Sequence, residues 1–183
     1  MNASRPRRNA APILTADVLA LVGVCGPVLT APAPLAEDTL RRFCQAAMET
    51  DPIHFDADAA RAAGYPGLVA PPLYPLHAFP RWPGTPDPFD ALAGDPDWDG
   101  IELVEDGLPP LEIGLERLLN GGVEAEIYGL AELGETIACQ SRYADIHDRA
   151  GRSGPMVFVV VETDYRTTDG RPLLRVRTTM IVR

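Results

Sequence analysis

The sequence predicts an α+β single domain, with helices first and an antiparallel sheet after them. Apolar residues recur at helical spacing through the first half of the chain. The last third changes to runs rich in Val, Ile, Thr and Tyr that alternate or stay apolar. Size agrees: 183 residues, 46% apolar and 23% charged, suit one soluble domain whose core needs no disulfide staples.

Residues 1–12 are expected to be a flexible tail and 13–183 the domain. "SRPRRNAAP" followed by an apolar run has the outline of a signal peptide. Asp17 interrupts the run, however, and "TADVLALVG" reads as a short helix capped by Thr15 and stopped at Gly23. No stretch reaches the ~18 apolar residues of a membrane span. "LAEDTLRRFCQAAM" places Leu40, Phe43, Cys44, Ala47 and Met48 on one helix face, with Glu37 and Asp38 in the first turn. "DADAARAAG" follows, with Asp56 as N-cap and Gly64 as stop. A proline-, glycine- and acid-rich insertion at about 80–110 cannot hold a regular element for long. "VEAEIYG", "TIACQSRYADIH", "PMVFVVVETDYR" and "PLLRVRTTMIVR" then read as strands, turned by "LGE" at 133–135, "GRSGP" at 151–155 and Asp169-Gly170.

Composition removes several function classes. All 16 basic residues are arginine, so lysine Schiff bases and P-loop lysines are excluded. The net charge of −10 argues against nucleic acid as the main partner. Ten of the 26 carboxylates fall between Asp87 and Glu116 without an arginine. Cys25, Cys44 and Cys139 lack CxxC spacing and point to a reduced, cytoplasmic setting. The three histidines lack metal-ligand spacing, so neither a metal nor a cofactor is expected. "GRSGP" fails as a nucleophile elbow because Pro155 stands where glycine is needed.

The stretch "AMETDPIHFD", residues 47–56, gathers Glu49, Asp51 and His54 in a tight connection between two helices. A carboxylate and an imidazole sharing one water could perform acid–base chemistry on an activated double bond. The alternative is a helix-junction histidine, with Asp51 capping or forming an Asx turn before Pro52. On spacing alone the structural role is the stronger. His77 reads as a packed or capping residue and His147 as a surface one.

Three stretches carry a family resemblance: residues 40–74, 117–137 and 151–183. Together they resemble the MaoC-like branch of the hotdog superfamily, and more closely the FAS1-like, N-terminal-type dehydratase domain. The resemblance implies a single hotdog fold, an antiparallel sheet wrapped around a central helix supplied by 71–79 and shortened by Pro75 and Pro80, and pairing into a double hotdog. It implies hydration of trans-2-enoyl thioesters, or dehydration of (3R)-3-hydroxyacyl thioesters, on CoA or a carrier protein. Competent members look like G-D-x-N-P-[IL]-H-x-D followed by A-H-G. Here Glu49 takes the place of the Asp, Asp51 that of the Asn, and Ala70-Pro71-Pro72 that of A-H-G.

Glu49 lengthens the carboxylate by one methylene, and Asp51 adds a second charge. Pro72 lacks the N–H through which the family's glycine polarises the thioester oxygen. The Leu73 N–H is then the nearest substitute. On this reading Glu49, Asp51 and His54 are catalytic, Ala70, Pro72 and Leu73 line the oxyanion side, and Arg149 or Arg152 meets CoA phosphates. The partner would be a second hotdog chain, identical or related, with no nucleic acid and no membrane. A non-catalytic subunit completing a partner's acyl tunnel is the alternative. Thioester hydrolysis is remote, since Leu73–Phe79 contains no acid.

Overall fold

Short caps and stops divide the N-terminal half into brief helices. A computed structural model of the chain describes residues 13–80, 107–115, 117–151 and 154–183, with Gly84, Thr85, Asp90, Gly94 and Pro96. The expected tail 1–12 and most of the 80–110 insertion lie outside the described residues. Helix α1 (Ala16–Leu19) starts where Thr15 Oγ1 accepts from the Val18 amide. After the two-residue strand β1 (Leu29–Thr30), α2 (Glu37–Ala47) carries Glu37 and Asp38 in its first turn. A 3-10 turn, Pro52–His54, leads into α3 (Ala57–Ala62), where Asp56 accepts from the Asp58 and Ala59 amides. The expected central helix at 71–79 is a single 3-10 turn, Tyr74–His77. Pro75 and Pro80, which supply no amide hydrogens, allow no longer element there.

The C-terminal runs form β2 (Leu118–Ile127), β3 (Ile137–Gly151), β4 (Gly154–Thr167) and β5 (Pro172–Val182). They pair antiparallel in the order β1-β3-β4-β5-β2. The Asp169-Gly170 turn closes as expected: Thr167 N donates to Arg171 O at 2.9 Å and Gly170 sits at φ +98°.

Strand periodicity sorts the sheet into two faces. Leu174, Val176, Thr178, Met180 and Val182 of β5 stand beside Val157, Val159, Val161, Thr163 and Tyr165 of β4. At one end of this inner face Leu35, Leu40, Cys44, Ala70, Tyr74 and Ala78 pack on Ile137, Leu174 and Val176. At the other end Leu14 and Val18 cover Ile146, Val157 and Met180, flanked by Leu108, Leu111 and Ile113. The apolar stripe expected along α2 holds at Leu40, Phe43 and Cys44. It fails at Ala47, which is exposed, and at Met48, which leaves the helix in a left-handed turn and is 84% exposed.

The outer face is polar, and its centre is Glu162, only 1% exposed. Arg142 Nη2 and Arg177 Nε each donate to it at 2.7 Å, and Arg175 lies 3.6 Å away while bonding Asp164 at 2.7 Å. Burial pushes the Glu162 carboxyl up, but the Arg142 and Arg177 hydrogen bonds outweigh it and hold it below its ordinary 4.5. A lowered folded value means that the carboxylate stabilises the fold above the unfolded range, and that this contribution is lost as pH falls through the folded value. Glu162→Gln is expected to cost about 1–3 kcal/mol in urea denaturation at neutral pH. The difference from the parent chain should shrink as the titration moves into acid.

Candidate active site

The site begins where α2 stops. Met48 adopts φ 54°, the one positive-φ non-glycine position among the described residues. The turn lets the Glu49 amide donate to Cys44 O at 2.9 Å. Glu49 Oε1 then folds back to accept from the Thr50 amide at 2.8 Å and the Asp51 amide at 3.1 Å. The Asp51 amide, then the Thr50 amide, hold the Glu49 carboxyl below its ordinary value, against a burial penalty and with help from the His54 ring in its charged form. Oε2 has no protein partner among the described residues.

Asp51 has a local role. Its Oδ1 accepts from the Ile53 amide at 3.2 Å and caps the turn ending in His54, which is the Asx arrangement of the structural reading. His54 is 4% exposed, and its Nδ1 lies 2.7 Å from Val69 O. A carbonyl can only accept, so Nδ1 carries the hydrogen, and in the neutral ring Nε2 is a lone-pair acceptor. Nε2 has no partner among the described residues.

Val69 and Ala70, both 0% exposed, run beside residues 131–133. Ala70 N donates to Ala131 O at 2.7 Å, and Leu133 N to Leu68 O at 3.3 Å. Pro71 is buried and Pro72 half-buried; Tyr74 N donates to Pro71 O at 2.9 Å. Leu73, 46% exposed, has an amide with no acceptor among the described residues. It is the first backbone donor left available after the proline pair.

A groove of about 360 Å³ opens at the end of α2, lined by Arg41, Cys44, Gln45, Met48, Glu49, Thr50 and Phe55, so that of the predicted site residues Glu49 alone is in its lining. Its lining is mostly apolar, and Phe55 joins Met48 as an exposed wall at 57%. Burial, then the Glu49 charge, pushes the Cys44 thiol up, which keeps it protonated and unreactive.

The other predicted residues fall elsewhere. Arg149 lies on the outer face, its guanidinium 5.2 Å from the Phe158 ring centroid, and Arg152 is outside the described residues. His147 stacks on Phe158 at 5.1 Å and pairs with Asp145 at 2.8 Å. His77 is exposed beside Phe43. Among the described residues, no three His, Cys, Asp or Glu side chains could hold a metal. Sequence reasoning passed over Tyr74, 4% exposed and edge-on to Phe43 at 5.3 Å, although it directly follows Pro71-Pro72-Leu73.

The sequence profile of the FAS1-like dehydratase domain region matches residues 22–176. This chain belongs to that family. A curated relative, the UPF0336 protein of Saccharopolyspora erythraea, is 28% identical over 155 residues, covering 83% of this chain and 85% of its own. The fold is similar to the ChsH1-ChsH2 complex of Mycobacterium tuberculosis, with a TM-score of 0.67 and 18% identity over 91% of this chain and 92% of that one. The MaoC-like dehydratase of Rhodospirillum rubrum matches at TM-score 0.57 and 18% identity, over 92% of this chain and 96% of that one. The FAS1-like dehydratase chain is thus a single α+β hotdog, its sheet covered on one face by the helical half.

The cap role of Asp51 separates two substitutions. Asp51→Asn keeps an acceptor for the Ile53 amide and should leave the melting midpoint near the parent value. Asp51→Ala removes it and is expected to cost about 0.5–2 kcal/mol, read by thermal denaturation.

Proposed function

We propose that this FAS1-like dehydratase chain adds water reversibly to trans-2-enoyl thioesters, giving (3R)-3-hydroxyacyl thioesters carried on CoA or a carrier protein. The observation that carries this is the buried His54 ring, tied through Nδ1 to Val69 O and left with Nε2 as an acceptor. Glu49 stands beside it with its carboxyl held ionised and Oε2 open. Between them the two groups take one proton from water and return one to C2, while the water oxygen bonds to C3. The π pair passes through an enolate on the thioester oxygen, which needs a donor. The family's aspartate is one methylene shorter than Glu49. The fold-back of Oε1 onto two amides draws the longer carboxylate toward its own backbone and offsets the extra reach.

The reading includes a second hotdog chain, its own copy or a related one, paired along β2. That strand is the sheet's outer edge, and nine of its ten residues are exposed. Val123 and Ile127, on the inner-face side, are 59% and 54% exposed. An unpaired edge with bare apolar side chains is a template for another strand. Pro72 favours a second reading, in which the chain completes the acyl tunnel of a catalytic partner.

Two measurements test these statements. Purified chain should hydrate crotonyl-CoA, and His54→Ala should lower the rate about 10²–10⁴-fold. Inactivity alone with activity on adding a second hotdog chain would move the chemistry to the partner. Sedimentation should give a dimer for the parent chain and a monomer for Val123→Lys, whose buried charge would oppose the pairing. A monomeric parent chain would remove self-pairing from the reading.

A further inference from the structure

We infer that the Tyr74 hydroxyl donates a hydrogen bond to the thioester carbonyl oxygen, in the place of the amide that Pro72 lacks. The inference rests on the hydratase reading of the same site.

Buried polar side chains in folded proteins find partners, and each exception calls for an explanation. Those described here obey the rule with two exceptions. Ser141 Oγ meets Thr163 Oγ1 at 2.8 Å, and Glu162 holds its arginines. Thr167 Oγ1 accepts from Arg171 N at 3.0 Å, and the Tyr143 hydroxyl donates to Pro109 O at 2.7 Å. The exceptions are His54 Nε2 and the Tyr74 hydroxyl, each on a residue only 4% exposed. Both fall on the stretch that carries the candidate site, one ahead of Pro71-Pro72 and the other just past it.

The two groups are also chemically complementary. Nε2 of a neutral ring accepts, and a phenol donates. Hydration of an enoyl thioester asks for one of each: an acceptor for a proton of water and a donor for the carbonyl oxygen as enolate charge collects there. Burial pushes the Tyr74 phenol up, so its O–H stays intact as a donor through neutral pH. The proton remains on Tyr74 throughout, and only the hydrogen bond strengthens.

Tyr74 belongs to the buried cluster that includes Leu40, Cys44 and Ala70, and Cys44 also lines the groove beside Glu49. Tyr74 N donates to Pro71 O at 2.9 Å, which fixes the residue to the proline pair. Its ring is clamped edge-on against Phe43 of α2, the helix that also carries Cys44 and leads into Glu49. A clamped phenol loses little freedom when substrate arrives, which is what an oxyanion donor requires.

Tyr74→Phe is the test, because it deletes one oxygen and keeps the ring. With crotonyl-CoA, kcat/KM should fall about 10²-fold while the melting midpoint stays level or rises, since no protein partner is lost. A hydroxyl with a purely structural role would do the reverse, lowering the midpoint and sparing the rate. A second readout works without turnover. In the His54→Ala background, bound crotonyl-CoA should show an enoyl absorbance shifted to the red by carbonyl polarisation, and adding Tyr74→Phe should abolish the shift. Turnover and spectrum unchanged by Tyr74→Phe would overturn the Tyr74 role alone. A parent chain that neither binds nor hydrates crotonyl-CoA would overturn the hydratase reading, and the Tyr74 role with it.

Discussion

A short ladder between residues 68–70 and 131–133 holds the candidate site in place. The Ala70 amide is committed to Ala131 O at 2.7 Å and the Leu133 amide to Leu68 O at 3.3 Å, so the backbone around Val69 is anchored to the chain that leads into the sheet. That anchoring aims Val69 O at His54 Nδ1. A histidine ring in the 3-10 turn between α2 and α3 would otherwise be free to turn. Tied in this way it has one tautomer in its neutral form and one free nitrogen. The 131–133 segment, distant in sequence, therefore helps set the neutral tautomer of a residue that the local helices only position.

The sheet itself is asymmetric. The edge at β3 is closed by the N-terminal segment: Gly23 and Gly26 donate to Tyr143 O and Ser141 O, and Ala31 donates to Ile137 O. The opposite edge, β2, has no such cover among the described residues, although its strand is five times longer than β1. Within the strand, Gly121 is required by close packing. A Cβ there would stand 2.8 Å from Thr179 Cγ2 and 3.0 Å from Ile181 Cγ1. The neighbouring register shift between Asn120 and Gly122 breaks the ladder with β5 and adds twist at the exposed edge.

Periodicity and caps made much of this legible. Asp56, Thr15 and the Asp169-Gly170 turn stand where their chemistry predicts, because each acts within four residues of itself. The four long strands were legible because apolar residues predominate on one face, interrupted there by Thr163 and Thr178. Two things could not be seen locally. Met48 continues the apolar stripe of α2, and no glycine or asparagine announces the left-handed turn that throws it outward. It goes with the Glu49-to-Cys44 bond and the carboxylate fold-back, backbone and side-chain geometry that hydrophobic periodicity does not report. Likewise Arg149 sits near a strand end in sequence, but strand parity alone decides its face, and that parity includes a register shift between Tyr143 and Asp145.

Pro71-Pro72 looks at first like the loss of a function, since it deletes two amides where the hydratase reading expects a donor. Its other consequence is rigidity. Two fixed φ angles leave little choice of path between Ala70, anchored by Ala131, and Tyr74, anchored by Pro71 O. The residues just past the pair are thereby held as firmly as those before it. A donor need not come from the glycine position if its neighbours are this constrained; it needs only an N–H or O–H with no competing partner. Leu73 offers the first and Tyr74 the second, on consecutive residues. The proline pair, on this view, relocates the donor from backbone to side chain and supplies the stiffness that a side-chain donor would otherwise lack.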